Sequence, residues 1–227
     1  MNENKVMTLD IFINYNPSVS QLYTKLLNVY PKEHLPEIDR RLNQPDYHGP
    51  LHELWTYAYL LEKGLQPEVV ARRNLESIRT PDFKCLYNGL TFYAEATVIS
   101  EIIEDEQGKF KGDPYCERTE FNKACWTDTK KPFNIRLRDK IQKYPSQYLP
   151  ILPVIRINGG ADYDELLDWL HDIWSSPESV NCLGIIEFAT FWPIAPGISP
   201  TLWINSRSNF KNFSLPGFDA SHYHVVQ

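Results

Sequence analysis

Thr80-Pro81-Asp82-Phe83-Lys84-Cys85-Leu86-Tyr87-Asn88-Gly89-Leu90-Thr91-Phe92-Tyr93-Ala94-Glu95-Ala96-Thr97-Val98-Ile99 reads as a β-hairpin that carries two carboxylates. Asn88-Gly89 suits a two-residue type I′ turn, because both central residues need positive φ, and apolar, aromatic and β-branched residues flank it on both sides. Counting outward from the turn predicts Tyr87 opposite Leu90, Leu86 opposite Thr91, Cys85 opposite Phe92, Lys84 opposite Tyr93, Phe83 opposite Ala94 and Asp82 opposite Glu95. The two acids are then cross-strand partners with Cβ atoms about 5 Å apart, where like charges are destabilising. A divalent cation such as Mg²⁺ would offset that repulsion, since it takes a few carboxylate oxygens and keeps several waters. Strand parity puts Phe83, Cys85, Tyr87, Leu90, Phe92, Ala94 and Ala96 on an apolar face and Asp82, Lys84, Glu95 and Thr97 on the other.

Pro81-Asp82, a spacer, and Glu95-Ala96-Thr97 at the end of an apolar strand resemble the PD-(D/E)XK phosphodiesterase superfamily, the restriction-endonuclease-like nucleases. The resemblance covers the hairpin and, more loosely, the elements from about His52 to Phe188. It implies Mg²⁺ or Mn²⁺ held by Asp82 and Glu95, with the Ala96 carbonyl as a further oxygen ligand. Thr97 stands where the motif has lysine, which leaves the catalytic cation to be found elsewhere. Relatives in that superfamily recruit the lysine from another position or lose activity, and both outcomes stay open. The helix before the sheet in such proteins often carries an acid that reaches the metal, which makes Glu53 a candidate; the alternative is a solvated Glu favoured by the helix dipole.

At 227 residues, 42% hydrophobic and 13% aromatic, the chain suffices for one substantial core and is short for two, so a single domain over 1–227 is expected. No run approaches the roughly 20 apolar residues of a membrane span, and Met1-Asn2-Glu3-Asn4-Lys5 lacks a signal-peptide core; a soluble, cytoplasmic protein is expected. Cys85, Cys116, Cys125 and Cys182 show no metal-finger spacing and read as reduced thiols, Cys85 and Cys182 buried in apolar strands. His222 and His224, without a third partner, are not read as ligands.

The net charge of −6 argues against indiscriminate phosphate binding, yet charge is unevenly placed. From Lys123 to Lys143 the chain is net +5, and the insertion just before it, from Glu101 to Glu120, is net −4. The basic stretch is either a solvated face or a groove for a phosphate backbone, with Lys130, Lys131, Arg136, Arg138 and Lys143 as the contacts.

Residues 1–50 read as accessory helices, over Ser18 to Asn28 and Lys32 to Leu42, with no visible chemistry. His48-Gly49-Pro50 then breaks the chain before a helix from about Leu51 to Lys63. Glu68 to Arg73 is a strand candidate, and Ser100 to Thr129 reads as a loop with at most a helical turn. A helix from about Pro132 to Tyr144 buries Phe133, Leu137, Ile141 and Tyr144. Lys140 borders that stripe and is the first candidate for the missing lysine, either in that role or as a snorkelling surface residue. Lys84, two residues after Asp82 and diagonal to Glu95, is the second. Ile151 to Ile157 and Cys182 to Phe188 read as buried strands around a helix from Tyr163 to Trp174, capped by Asp162 with Glu165. Thr201 to Asn205 is a late strand, followed by an irregular tail.

This order predicts an α/β domain with a restriction-endonuclease-like core over 51–190, a mixed sheet flanked by helices, an N-terminal helical extension, and a C-terminal strand and tail over 191–227. The expected function is metal-dependent phosphodiester hydrolysis on nucleic acid, DNA in the first instance. The competing reading is a non-catalytic nuclease fold that binds nucleic acid or protein, with a homodimer or protein partner open.

Overall fold

The computed structural model describes residues 17–44, 47–71, 80–100, 102–104, 126–128, 130–142, 144, 146–158, 163–188, 200–210, 213–216, 218 and 221–226. Three helices come first: α1 (Pro17–Val29), α2 (Leu35–Leu42) and α3 (His48–Glu62). The strands β1 (Glu68–Val69), β2 (Phe83–Tyr87) and β3 (Leu90–Ser100) follow. A ribbon of β4 (Ile102–Glu104) and β5 (Trp126–Asp128) leads into α4 (Lys130–Gln142). The chain then runs through β6 (Ile151–Asn158), α5 (Tyr163–Trp174), β7 (Gly184–Phe188), β8 (Thr201–Asn205) and β9 (Tyr223–Val226).

Seven of these strands form one mixed sheet in the order β1-β2-β3-β6-β7-β8-β9. The hairpin pairs from Phe83 with Ala94 to Tyr87 with Leu90 in the register that the turn predicts. Asn88 and Gly89 have φ of 49° and 79°, the positive pair a type I′ turn requires. β3 and β6, and β6 and β7, run parallel, so each connection must cross over the sheet, through α4 and α5. Successive crossovers stepping in one direction put both helices on one face.

Two cores result. On the α3 face Leu51, Leu54 and Leu60 pack with Phe83, Cys85, Phe92, Ala94, Leu152, Val154 and Ile186. On the other, Phe133, Leu137 and Ile141 of α4, Tyr144 just beyond its end, and Leu166, Leu170 and Ile173 of α5 pack on Ile99, Ile155, Ile185 and Trp203. The chain is thus an α/β protein with a seven-stranded mixed sheet flanked by helices. Gly184 opens β7 where any Cβ would stand 2.1 Å from the Trp203 carbonyl oxygen, so only glycine fits there.

Several boundaries differ from those read in the sequence. α3 starts at His48 and takes Pro50 into its first turn, where no intrahelical N–H bond is lost. β1 spans only Glu68–Val69 of the Glu68 to Arg73 candidate; residues 72–79 lie outside the described part. The expected loop from Ser100 to Thr129 contains the β4–β5 ribbon, because Ile102 and Ile103 meet Asp128 and Thr127 as strand partners. The tail supplies β9, whose Tyr223–Val226 pairs parallel with β8. Cys85 and Cys182 are buried and free, while Cys116, Cys125 and the Asp162 cap lie outside the described residues. No helix among the described residues is long and apolar enough to cross a membrane.

Candidate active site

Asp82 stands one residue before β2, and Glu95 sits in the middle of β3 on the face toward α4. Their proximity is electrostatic as well as geometric, because the Asp82 charge raises the Glu95 carboxyl pKa. Burial is the larger cause of that rise, to about 8, with Lys140 and the Tyr144 hydroxyl acting in the opposite direction. Lys140 Nζ, from the edge of the α4 stripe, donates to Glu95 Oε1 in an ion pair. Oε2 of Glu95 is buried without a hydrogen-bond partner, as is Oγ1 of Thr97 two residues on. An acceptor left this way is costly unless a donor or cation meets it.

The backbone beside Asp82 is shaped by Pro81. Ala96 N–H donates to Asp82 Oδ2 at 2.9 Å, so the Ala96 peptide edge points toward β2. A residue's N–H and C=O leave a strand on the same side, and the ladder partner of Ala96 would be Pro81, which has no N–H to give its carbonyl. That carbonyl therefore faces the Asp82 side with no donor from Pro81. Two carboxylates, an unpartnered buried Glu95 oxygen and this carbonyl are the hard oxygen donors that Mg²⁺ or Mn²⁺ takes, so the residues fit such an ion. Among the described residues no group of three acidic, histidine or cysteine side chains could hold a metal, so a carbonyl and waters would have to complete its shell.

Glu53 is buried in α3, in its second turn, which overturns the solvated first-turn alternative. Its Oε1 accepts from the Tyr30 hydroxyl at 3.1 Å and its Oε2 from Arg41 Nη1 at 2.6 Å. Burial, followed by the Glu53 charge, holds the Tyr30 hydroxyl far above the usual phenol range. Tyr30, Arg41, Glu53 and Asp82 line one cavity of about 140 Å³ with Val69 and Val70. The first fifty residues are thus more than accessory, because they supply Tyr30 and Arg41, which hold Glu53. Nothing in their sequence marks this: Arg40-Arg41 at a helix C-terminus reads as a dipole-favoured pair, and Tyr30 as a helix-end aromatic.

Of the two lysine candidates the structure brings only Lys140 to Glu95. Lys84 Nζ lies 3.5 Å from Glu68 and is 46% exposed, because a lysine on the short edge of β2 meets its β1 partner first. Arg136 is exposed on α4, and Arg138 donates to the Asp172 carbonyl at the end of α5. Lys130 and Lys131 belong to α4, with side chains outside the described part, as is the whole of Lys143. His52, next to Glu53, was not singled out in the sequence. It is fully buried, its Nε2 is 2.9 Å from the Val154 carbonyl oxygen, and burial pushes its pKa down to about 4. Since a carbonyl can only accept, Nε2 carries the proton. Comparison of the chain with family models, with curated proteins and with solved structures finds no match.

Proposed function

We propose that this protein is a metal-dependent phosphodiesterase acting on nucleic acid, with DNA the expected substrate and a restriction-endonuclease-like core. The observation that carries the reading is the Lys140–Glu95 ion pair beside Asp82, a lysine brought from a helix to the acid whose own strand offers only Thr97. Asp82, Glu95 and the Ala96 carbonyl would hold Mg²⁺ or Mn²⁺, which when bound supplies an activated water and neutralises charge on the phosphate. Glu95 gives Oε1 to Lys140 and keeps Oε2 for the cation. Lys140 orients the attacking water or offsets the charge that develops on the phosphate oxygens. Glu53, fixed by Tyr30 and Arg41, holds its carboxylate on the cavity wall it shares with Asp82. Arg136, with Lys130, Lys131, Arg138 and Lys143, supplies positive charge along the phosphate backbone.

The test is cleavage of supercoiled plasmid and single-stranded DNA in Mg²⁺ or Mn²⁺ against EDTA. Cleavage that needs the metal and is lost in Glu95→Gln is expected. Cleavage indifferent to EDTA would overturn the reading. Tight DNA binding without turnover would assign a binding scaffold instead, the reading that Thr97 favours.

A further inference from the structure

A second cavity, of about 240 Å³, lies between the first turn of α5 and the β7, β8 and β9 edge of the sheet. Its wall is a set of three rings: Tyr163 is 5.1 Å from Trp203 and 4.9 Å from His224, and Trp203 is 4.8 Å from His224, centroid to centroid. Tyr163 is half exposed, so its ring is available from the cavity. Glu187 lies on the same wall. Thr97, Ile155 and Glu187 are successive partners across β3, β6 and β7, so the cavity shares a sheet face with Glu95, and Glu187 stands about 10 Å of strand spacing from Thr97.

Glu187 is half-buried, and Trp203 Nε1 donates to its Oε2 at 3.0 Å. Burial raises its carboxyl pKa, and that neutral indole is the group that lowers it. Among the described residues no lysine or arginine pairs with it, although a carboxylate withdrawn from water is costly without a cation. Three electron-rich rings beside an acid with no counter-charge call for an organic cation. The wall offers one carboxylate, short of the several hard oxygen ligands that Mg²⁺ or Mn²⁺ takes.

We propose that this cavity binds a guanidinium group. A guanidinium is flat, so one face lies on the half-exposed Tyr163 ring, with the His224 ring standing nearly perpendicular beside it, and its fork of N–H donors meets the lone pairs of Glu187 that Trp203 leaves open. An ammonium has neither the flat face nor the fork. The site is separate from the Asp82 and Glu95 cluster and does not depend on the phosphodiesterase reading.

The probe is agmatine, titrated calorimetrically into the whole chain, with putrescine as a control that has the same four-carbon spacer and an ammonium in place of the guanidinium. Agmatine should bind, shift the Trp203 indole N–H resonance and exceed putrescine in affinity. Glu187→Gln keeps an acceptor for Trp203 and should fold at least as stably, yet lose about tenfold or more in affinity. Tyr163→Phe should keep binding and Tyr163→Ala should weaken it. An arginine peptide that binds more tightly than agmatine would place the guanidinium on a protein partner, and the opposite order would make the ligand a small metabolite; either order upholds the site. No agmatine binding, equal binding of putrescine, undiminished binding by Glu187→Gln, or binding of guanosine monophosphate in agmatine's place would overturn the proposal.

Discussion

The ammonium of Lys140 is ion-paired with the carboxylate of Glu95, 45 residues earlier in the chain. The relationship follows from helix geometry. Leu137 and Ile141 are buried against the sheet, and Lys140, one turn on from Leu137, overhangs β3 from the edge of that stripe. Its side chain is about one-fifth exposed, where a surface lysine would be mostly in water. Lys140→Ala should therefore lower the cleavage rate by about 10²-fold or more, with Lys140→Arg retaining part of it. Lys84→Ala should change little, since its partner is the exposed Glu68. Steady-state rates for the three variants decide the matter, and reversed effects would move the catalytic cation to the hairpin.

Burial and the Asp82 charge raise the folded-state pKa of Glu95 to about 8, so its ion pair with Lys140 is complete only above that pH, whereas an unfolded glutamate ionises near the ordinary carboxyl value. Between those two pH values the folded state binds more protons, so this group lowers stability as pH rises. The melting temperature of Glu95→Gln relative to wild type in EDTA should climb from pH 5 to pH 8 and then level. A difference that does not vary with pH would mean that Glu95 titrates normally.

His52 has the opposite sign. Its folded pKa is depressed to about 4, so below the ordinary imidazole value the unfolded chain takes a proton that the folded one refuses. Stability from this residue is complete above that value and falls by on the order of 3 kcal/mol as pH drops to 4. Denaturant unfolding of wild type and His52→Gln at pH 7 and pH 4 measures it: the wild-type advantage should shrink on acidification.

Electrostatic contact with DNA should be carried unequally by the basic face of α4. Arg136 is exposed, whereas Arg138 is held by the Asp172 carbonyl 3.2 Å away. Arg136→Ala should reduce the slope of log affinity against log salt by about 0.9, the value for one phosphate contact. Arg138→Ala should reduce it less. A salt-independent affinity would point to a protein partner.

The hairpin was legible because one turn dipeptide fixes its register and strict alternation assigns its faces. Tyr163–Trp174 was legible for a similar local reason, an apolar stripe that begins just after acidic first-turn residues. The start of α3 was not, since Pro50 reads as a break although the first helical turn tolerates it. Glu53 is an acid at an ambiguous helix position until Tyr30 and Arg41 are folded against it, and no periodicity encodes that contact. β9 is four residues long at the end of a polar, turn-rich segment, and becomes a strand only because β8 offers it an edge. The aromatic cavity draws on three strands and a helix, so no single stretch announces it.

The most direct measurement is a set of four melting curves: wild type and Glu95→Gln, each in EDTA and in Mn²⁺, at pH 8. Wild type should be stabilised by Mn²⁺, because a ligand that binds only the folded state shifts the equilibrium by mass action. Glu95→Gln should melt above wild type in EDTA, relieved of a buried charge beside Asp82, and gain little from Mn²⁺. A wild type indifferent to Mn²⁺, together with a Glu95→Gln that melts lower in EDTA, would contradict a shared metal site at Asp82 and Glu95.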